Sequence, residues 1–320
     1  MANPMVSENW GKLLEPGLRA IWQQRLTRRE SLGKRQLIFN QLNSEKRFEE
    51  VTGIGALSDE DWNFHKTRRI NYGSVRPSFT KDWEHLEYAK GMMIERKMID
   101  DNLYGTSQLP RSEKAKPVQL ADSAFIVREK AAAEVFNLAT TGSGVAPSGF
   151  DIAGPDGKAL LANDHPLFPG DTGPGQDNYL ALALSATNFS TARQVGRKFT
   201  DDNGNIVQIN HNTLIVPIEL EDAALTIRDT ELLPGGSLND KNVQRNGLQN
   251  VIVWDYLTDA NRWFVVDPLL MEEHLIWFER IPLEFKLGTD FDTYTAKYAN
   301  YMRYSRGFSD WRWVVGSEPS

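Results

Sequence analysis

Residues 91–144 read GMMIERKMIDDNLYGTSQLPRSEKAKPVQLADSAFIVREKAAAEVFNLATTGSG, and they carry the strongest structural signal in the chain. Apolar side chains at helical spacing in residues 95–104 predict a short helix. Residues 118–140 predict a long one, because no glycine or proline interrupts them and small apolar residues recur every three or four positions. Pro117 suits the first turn of the long helix, and the glycines from Gly142 onward end it.

The composition is that of an ordinary globular protein. The 320 residues, 40% hydrophobic and 25% charged, suffice for one large or two medium-sized domains. The absence of cysteine excludes disulfides, thiolate metal ligands and cysteine nucleophiles. No apolar run approaches the ~20 residues of a membrane-spanning helix, and the N-terminus lacks the apolar core of a signal peptide. We therefore expect a soluble protein, made in the cytoplasm, without membrane contacts.

The charge is unevenly distributed along the chain. A net charge of −7 argues against nucleic-acid binding by the molecule as a whole. Basic residues nevertheless gather in residues 1–35 and again in residues 65–81. Such segments either lie on acidic surfaces of neighbouring molecules, face nucleic acid, or form a solvated charged surface. The candidates for an interacting surface are Arg25, Arg28, Arg29, Lys34, Lys66, Arg68 and Arg69.

Motifs for catalysis or cofactor binding are missing from the sequence. It contains no phosphate-binding loop, no GxSxG elbow and no EF-hand loop. The five histidines never fall at metal-ligand spacing with one another. We therefore predict no cofactor, no metal site and no catalytic residues. One alternative stays open, since the adjacent Asp164 and His165 could be half of a catalytic dyad, although such a pair is more often part of a loop packed by its own polar contacts.

The N-terminal part of the chain predicts an arm followed by an extended loop. Residues 1–50 contain a basic amphipathic helix, which can lie on a partner or on a membrane surface. Residues 51–83 alternate apolar and polar side chains around Trp62 and Tyr72, as strands do. A polar two-stranded extension of this kind cannot bury a core by itself, so it needs another surface to lie on. Residues 84–94 then return as a strand.

The second half predicts an alternation of short helices and strands. Ser190 is expected to cap a helix that runs to Arg197, and Asn203–Gly204 suits a type I′ hairpin turn. A buried strand precedes Pro217, which begins the next helix. Residues 234–247 form a long loop. Strands follow in residues 248–257, 261–268, 275–287 (broken by a proline) and 294–304.

These features, in this order, resemble the major capsid proteins of tailed phages. The two helices of residues 91–144, ending in VFNLATTGSG, resemble the spine region of that family, and KALLANDHPL (158–167) is similar to a stretch of Mu-like major head proteins. The endings FDTYTAKY (291–298) and GFSDWRWVVGS (307–317) are the most specific part of the resemblance. It implies an α+β fold of the Hong Kong 97 type, which encapsulin shells share.

The resemblance implies a division of the chain into five parts. They are an N-terminal arm (1–50), an extended loop (51–83), a peripheral domain with the spine helix (84–140), an axial domain (141–271) and C-terminal strands that return to the peripheral domain (272–320). Glycines 142 and 144, with the loop 234–247, are candidate flexible points that would let one chain adopt both ring geometries.

The implied function is structural. Copies of the chain would assemble into hexamers and pentamers, which form an icosahedral head shell around double-stranded DNA. Implied partners are other copies of the chain, a portal, non-specifically bound DNA and, in some members, a separate scaffolding protein or a decoration protein. The implied location is the virion. An encapsulin-like cargo shell is the alternative within the same fold, and a hydrolase using Asp164 and His165 is the alternative from another class.

Overall fold

The computed structural model describes residues 7–57, 62, 64–70, 72–95, 111–233, 240–290, 292–293 and 295–319. The helices of these parts are α1 (Ser7–Glu30), α2 (Arg35–Ile38), α3 (Phe64–Thr67), α4 (Arg111–Asn137), α5 (Ala186–Gly196), α6 (Glu221–Asp229) and α7 (Pro268–His274). The strands are β1 (Asn40–Asn43), β2 (Phe48–Ile54), β3 (Pro77–Glu84), β4 (Leu86–Glu95), β5 (Tyr179–Leu180), β6 (Thr213–Val216), β7 (Leu232–Leu233), β8 (Asp240–Lys241), β9 (Asn250–Val253), β10 (Trp263–Val266), β11 (Leu275–Asp290), β12 (Thr295–Phe308) and β13 (Val314–Ser317).

The predicted long helix is α4, which we call the spine helix. It begins at Arg111, so Pro117 lies inside it and not in its first turn. A proline at this position inside the helix removes one backbone hydrogen bond, and the ring of Pro117 is buried. The helix ends at Asn137, and the Arg262 guanidinium caps its last turn by donating to the carbonyls of Phe136 and Asn137. Of the predicted short helix, Glu95 belongs to strand β4, and residues 96–104 lie outside the described residues.

One sheet has the strand order β1-β11-β12-β4, and we call it the peripheral sheet after the predicted peripheral domain. Its centre is the long antiparallel hairpin of β11 and β12. The predicted break at Pro282 is wrong, because the strand continues through this region with irregular pairing between Glu279 and Glu284. The parallel pairing of β1 with β11 also corrects the predicted arm, since residues 40–43 belong to this sheet.

A second sheet has the strand order β5-β13-β10-β6-β9, and we call it the axial sheet after the predicted axial domain. Its central strands β6 and β10 are buried on both faces, as their continuous apolar sequences predict. The expectation that all strands after residue 272 return to the peripheral domain is wrong for β13. That strand pairs with β10 and β5 and is therefore part of the axial sheet.

Two local predictions in the axial region need correction. Ser185, not Ser190, caps helix α5, because its hydroxyl accepts the amide of Asn188. The turn at Gly204 is not of type I′, since Gly204 has a positive φ of 85° but Asn203 does not. The Asp201 carboxylate holds this turn by accepting the amides of Asn203 and Asn205. The predicted helix after Pro217 is present as a 3₁₀ turn followed by α6.

The extended loop is a two-stranded antiparallel ribbon of β2 and β3, which we call the ribbon. Its two-stranded character was predicted correctly. The alternation around Phe64 does not continue as strand, however, because residues 64–67 form helix α3. Beyond β2 and before β3, the described backbone is otherwise irregular.

One hydrophobic core connects the spine helix with both sheets. It contains Phe136 of the spine helix, Trp277 of the peripheral sheet and Trp263 and Phe264 of the axial sheet. A smaller cluster joins Trp22 and Leu26 of α1 to the spine helix and to the hairpin. No helix in the described parts of the chain is both long and apolar enough to cross a lipid bilayer.

The candidate flexible glycines differ from each other. Gly144 has a φ of 118°, which residues with a Cβ rarely adopt, whereas Gly142 has no such restriction and its nearest neighbour to an added Cβ is 3.7 Å away. The predicted loop 234–247 is described only from residue 240, where β8 pairs with β7 and a 3₁₀ turn follows. A hinge at these positions stays a prediction.

Candidate functional site

Helix α1 lies on the spine helix of its own subunit and is held there by an ion-pair cluster. Arg25 and Arg29 both donate to the carboxylate of Asp122, each at 2.8 Å. The Arg25 hydrogen bond, with that of Arg29, lowers the pKa of Asp122, and the pKa of Arg25 rises in turn. Two of the predicted interacting residues therefore bind within the subunit, through an acid 97 positions away from Arg25.

The outward face of α1 is polar and basic. The exposed residues on it include Gln23, Gln24 and Thr27, with Arg19 and Arg28 at opposite edges of the face, about two and a half turns apart. Lys34 follows the helix, and its backbone amide binds Glu129 of the spine helix. Of the four predicted arm residues, Arg28 is thus the one whose side chain is directed fully outward.

Two further arginines near the arm are buried, and sequence reasoning missed them. Arg35 stacks on Trp277 at 4.8 Å, and burial together with the nearby charge of Arg128 lowers its pKa to about 10. Arg128 of the spine helix binds Glu30 at 2.8 Å and Glu279 at 2.6 Å. The sequence did hold a signal for Arg128, because it lies four residues from Ala124 and from Ala132 on the apolar face of the predicted helix.

The base of the ribbon is anchored to the body of the subunit. The Trp83 indole lies against Gly307 of β12, where an added Cβ would be 2.1 Å from the indole nitrogen. Trp83 also packs with Ile276 and Phe278. A second anchor is the ion pair between Lys81 and Asp151, which lowers the pKa of Asp151 against the opposing effect of burial.

Further out, the ribbon touches a loop of the axial region. The Asp202 carboxylate accepts the amide of Ala56 at 2.7 Å, and the Asn203 amide group donates to the Ala56 carbonyl at 2.9 Å. Between this contact and the anchor at Trp83 lies an open groove of about 560 Å³. Apolar side chains of both walls line it, among them Phe79 and Leu270.

The far end of the ribbon exposes large apolar side chains. Trp62, Ile70 and Tyr72 are 79%, 67% and 87% exposed. The predicted residues Lys66, Arg68 and Arg69 lie exposed at the same end, where Arg68 adopts a positive φ of 53°. Three large apolar side chains this exposed within one connection make it a candidate interaction surface.

Asp164 and His165 do not form a catalytic dyad. Asp164 pairs with Lys158, whereas His165 is completely buried and binds Asp156 at 2.6 Å and Asn178 at 3.2 Å. The imidazole also stacks on Trp311 at 4.1 Å. The motif is therefore a loop packed by its own polar contacts, and both ring nitrogens of His165 are already hydrogen-bonded. Among the residues with described positions, no group of three or more His, Cys, Asp or Glu could hold a metal ion.

His211 gives the subunit a predictable acid sensitivity. It is 1% exposed, and burial lowers its pKa from 6.5 to about 4, while the nearby Arg193 and Arg197 act in the same direction and Asp267 opposes them. The unfolded chain therefore takes up a proton at a higher pH than the folded one. We expect the free energy of unfolding to fall by about 3 kcal/mol between pH 6.5 and pH 4 through this residue.

Urea unfolding of unassembled subunits over this pH range measures the effect. His211→Leu should flatten the pH dependence, whatever its cost at neutral pH. His65→Leu, at an exposed histidine, is the control and should keep the wild-type slope. An unchanged slope in His211→Leu would mean that His211 titrates normally in the folded subunit.

Comparisons with known proteins agree with this architecture. A comparison with characterised protein sequences finds no match. Among solved structures, a protein of Mycobacterium phage Patience is similar at 11% identity and a TM-score of 0.57, over 94% of this chain and 88% of that one. The capsid of a native GTA particle is similar at 12% identity and 0.53, over 89% of each chain. A virus-like particle from Pyrococcus furiosus is similar at 11% and 0.53, over 95% and 98%.

These structural likenesses establish the Hong Kong 97-type α+β fold, and the finer likeness to Mu-like head proteins stays a prediction. Sequence evidence for the family is independent of them. A sequence model of the family described as phage capsid protein matches residues 87–317, from the start of strand β4 to the end of β13. The chain therefore belongs to the phage capsid protein family, and it is a shell-forming subunit of the phage head.

Proposed function

We propose that copies of this chain form rings of five and six, and that these rings close an icosahedral shell around double-stranded DNA. The observation that supports this most directly is the far end of the ribbon, where Trp62, Ile70 and Tyr72 are exposed. In a single subunit these apolar side chains are exposed to water, which is unfavourable. Burial against a neighbour would contribute a favourable free energy of roughly 25 cal/mol per Å² of apolar surface removed from water.

The geometry of the ribbon suits ring formation. It is anchored at its base and apolar at its far end, so it makes a head-to-tail contact between unlike surfaces. Contacts of this kind close into rings when the rotation between subunits permits. Each contact can be weak, because every subunit in a ring is held on two sides and the effective affinity rises with the number of linked contacts.

Replacing the exposed aromatic residues is expected to abolish assembly without unfolding the subunit. Trp62→Ser with Tyr72→Ser should change subunit stability by less than about 0.5 kcal/mol, since both side chains are exposed. Each lost interface anchor should weaken association by about 2 kcal/mol or more, repeated around the ring. Sedimentation velocity with electron microscopy measures assembly, and thermal unfolding of unassembled subunits measures stability.

The matched control replaces apolar residues of similar exposure elsewhere. Leu269, on helix α7, is 77% exposed, and Val243 is 72% exposed. Leu269→Ser with Val243→Ser should assemble like the wild type. Normal shells from the Trp62/Tyr72 variant would contradict the proposed role of the ribbon.

Arg28 and Arg19 are the arm residues that we assign to the DNA-facing or neighbour-facing surface, with Lys34 beside them. Arg19 and Arg28 lie at opposite edges of the exposed, polar half of α1, and such a surface suits non-specific contact with phosphates. Of the ribbon residues, Lys66, Arg68 and Arg69 would approach the neighbouring subunit. Arg25 and Arg29 would contribute indirectly, by fixing α1 on the spine helix.

The remaining assignments follow from membership in a phage capsid family. We infer that the subunit is made in the host cytoplasm and acts without catalysis. Its further partners would be a portal and, depending on the phage, a separate scaffolding protein or a decoration protein.

A cargo shell of the encapsulin type is the second candidate. The similarity to the virus-like particle from Pyrococcus furiosus, which extends over 98% of that chain, favours keeping it. The contents of the natural particle separate the two. Purified particles should contain nuclease-protected DNA if the chain forms a phage head. Particles that hold protein cargo and no nucleic acid would support the encapsulin-like alternative.

A further inference from the structure

Glu129 of the spine helix lies where three parts of the subunit meet. Its side chain is buried, with the residue only 3% exposed. One carboxylate oxygen accepts the amide of Arg35 at 3.2 Å, and the other accepts the amide of Lys34 at 3.2 Å and the Trp254 indole at 3.0 Å. Two donors therefore come from the end of the arm, and the third comes from the axial region.

The surroundings of this carboxylate leave little room for adjustment. An added Cβ at Gly33 would lie 2.5 Å from the Glu129 oxygen and 2.9 Å from Phe125, so the turn after α1 is pressed against it. On the axial side, the amide of Trp254 donates to Val216 of strand β6. The Trp254 backbone is thus bound to the axial sheet, while its indole is bound to Glu129.

A buried carboxylate is stable only while its hydrogen-bond donors are in place. If the arm moves away, Glu129 loses two of its three donors at once. Its charge must then reach water or rotate toward other donors, and either movement breaks the bond to Trp254. Conversely, a displaced indole removes one of the groups that hold the carboxylate against the arm.

We propose that Glu129 is a coupling residue, which transmits the position of the N-terminal arm to the turn of the axial region that carries Trp254. The same turn is held by Asn137 of the spine helix, which binds Tyr256 and Thr258. A subunit whose arm is displaced by a neighbour would thereby loosen residues 254–258. The consequence for shell assembly rests on the proposed function, whereas the coupling itself is a property of the single subunit.

A second carboxylate of the spine helix allows the coupling to be tested from a distance. Asp122 precedes Glu129 by seven residues, or roughly 10 Å along one face of the helix. It binds Arg25 and Arg29 of the arm. Asp122→Asn therefore weakens arm docking without touching any hydrogen bond of Glu129, and Trp22→Ala weakens it through the apolar contact beside it.

Hydrogen exchange of full-length, unassembled subunits is the experiment. Asp122→Asn, alone or with Trp22→Ala, should speed amide exchange in residues 19–38 and also in residues 250–258, by about tenfold at the most affected amides. In a Trp254→Phe background, which keeps a ring but lacks the indole donor, loosening the arm should no longer change residues 250–258.

Trp263→Phe is the matched control. Trp263 is also a buried tryptophan of the axial sheet, and its indole donates to the Leu182 carbonyl at 2.8 Å, away from Glu129. The effect of Asp122→Asn on residues 250–258 should persist in that background. Faster exchange in the arm alone would overturn the proposal, and so would an effect on residues 250–258 that persists in the Trp254→Phe background. Because no shell is needed, these outcomes are independent of whether the ribbon drives assembly.

Discussion

Replacing Arg306 by methionine is expected to lower the free energy of unfolding of the subunit by about 3–5 kcal/mol. Arg306 is 2% exposed in strand β12 and binds Glu134 of the spine helix at 2.8 Å. Burial lowers the pKa of Arg306, and the Glu134 carboxylate acts against that shift. The variant would leave the Glu134 carboxylate, whose side chain is 14% exposed, with Ser148 as its remaining described side-chain partner, and this largely buried, uncompensated charge is the reason for the cost.

Urea unfolding of unassembled subunits measures this loss. The control is Lys286→Met, which removes one member of an exposed pair with Glu284 and should cost at most about 1 kcal/mol. The double variant Arg306→Met with Glu134→Leu removes both charges and should recover most of the loss. Equal losses of unfolding free energy in Arg306→Met and Lys286→Met would show that the pair of Arg306 and Glu134 stabilises the fold no more than an exposed pair does.

Gly307→Ala is expected to detach the ribbon from its anchor. The added methyl group would lie 2.1 Å from the Trp83 indole nitrogen, so the indole must leave its site between Ile276, Phe278 and strand β12. Exposing a buried tryptophan costs about 3 kcal/mol, and assembly should fail because the ribbon is no longer directed toward a neighbour. Limited proteolysis within residues 48–84 and sedimentation velocity measure the two effects.

Gly288→Ala is the control for this prediction. Gly288 lies on the neighbouring strand β11, and an added Cβ there meets no atom within 4 Å. It should assemble normally and leave the ribbon as resistant to protease as the wild type. A protease-resistant ribbon in Gly307→Ala would mean that Trp83 can be accommodated elsewhere and is not the anchor.

Local patterns predicted most helices and strands of this fold, but not the partners of the short strands. The spine helix, the ribbon and the buried strand β6 all follow from the periodicity of their own residues. Strand β13 could not be assigned to the axial sheet, because its apolar sequence suits either sheet and its pairing with β10 joins distant parts of the chain. The same holds for β1, whose partner β11 lies more than 230 residues away.

The candidate surfaces show a similar limit. The sequence identified the basic arm, but charge counting cannot tell a solvated arginine from one bound to an acid of the same subunit. Arg25 and Arg28 lie three residues apart in the same basic segment, so their sequence surroundings do not distinguish them. Only the packing of α1 on the spine helix gives Arg25 a partner in Asp122. Arg306 is one of several arginines in the C-terminal segment of the sequence. Its burial follows from its position in β12, an inner strand of the peripheral sheet.

The pairing of the late strands also bears on the synthesis of the protein. The peripheral sheet is built around β11 and β12, and the axial sheet contains β13, so neither can be completed until residues 275–317 have left the ribosome. At roughly 5–20 residues per second, a nascent chain waits tens of seconds with its earlier apolar segments unpaired. We therefore expect nascent chains on a polysome not to start a shell, because their two sheets are still incomplete. The same delay makes the nascent chain a substrate for chaperones.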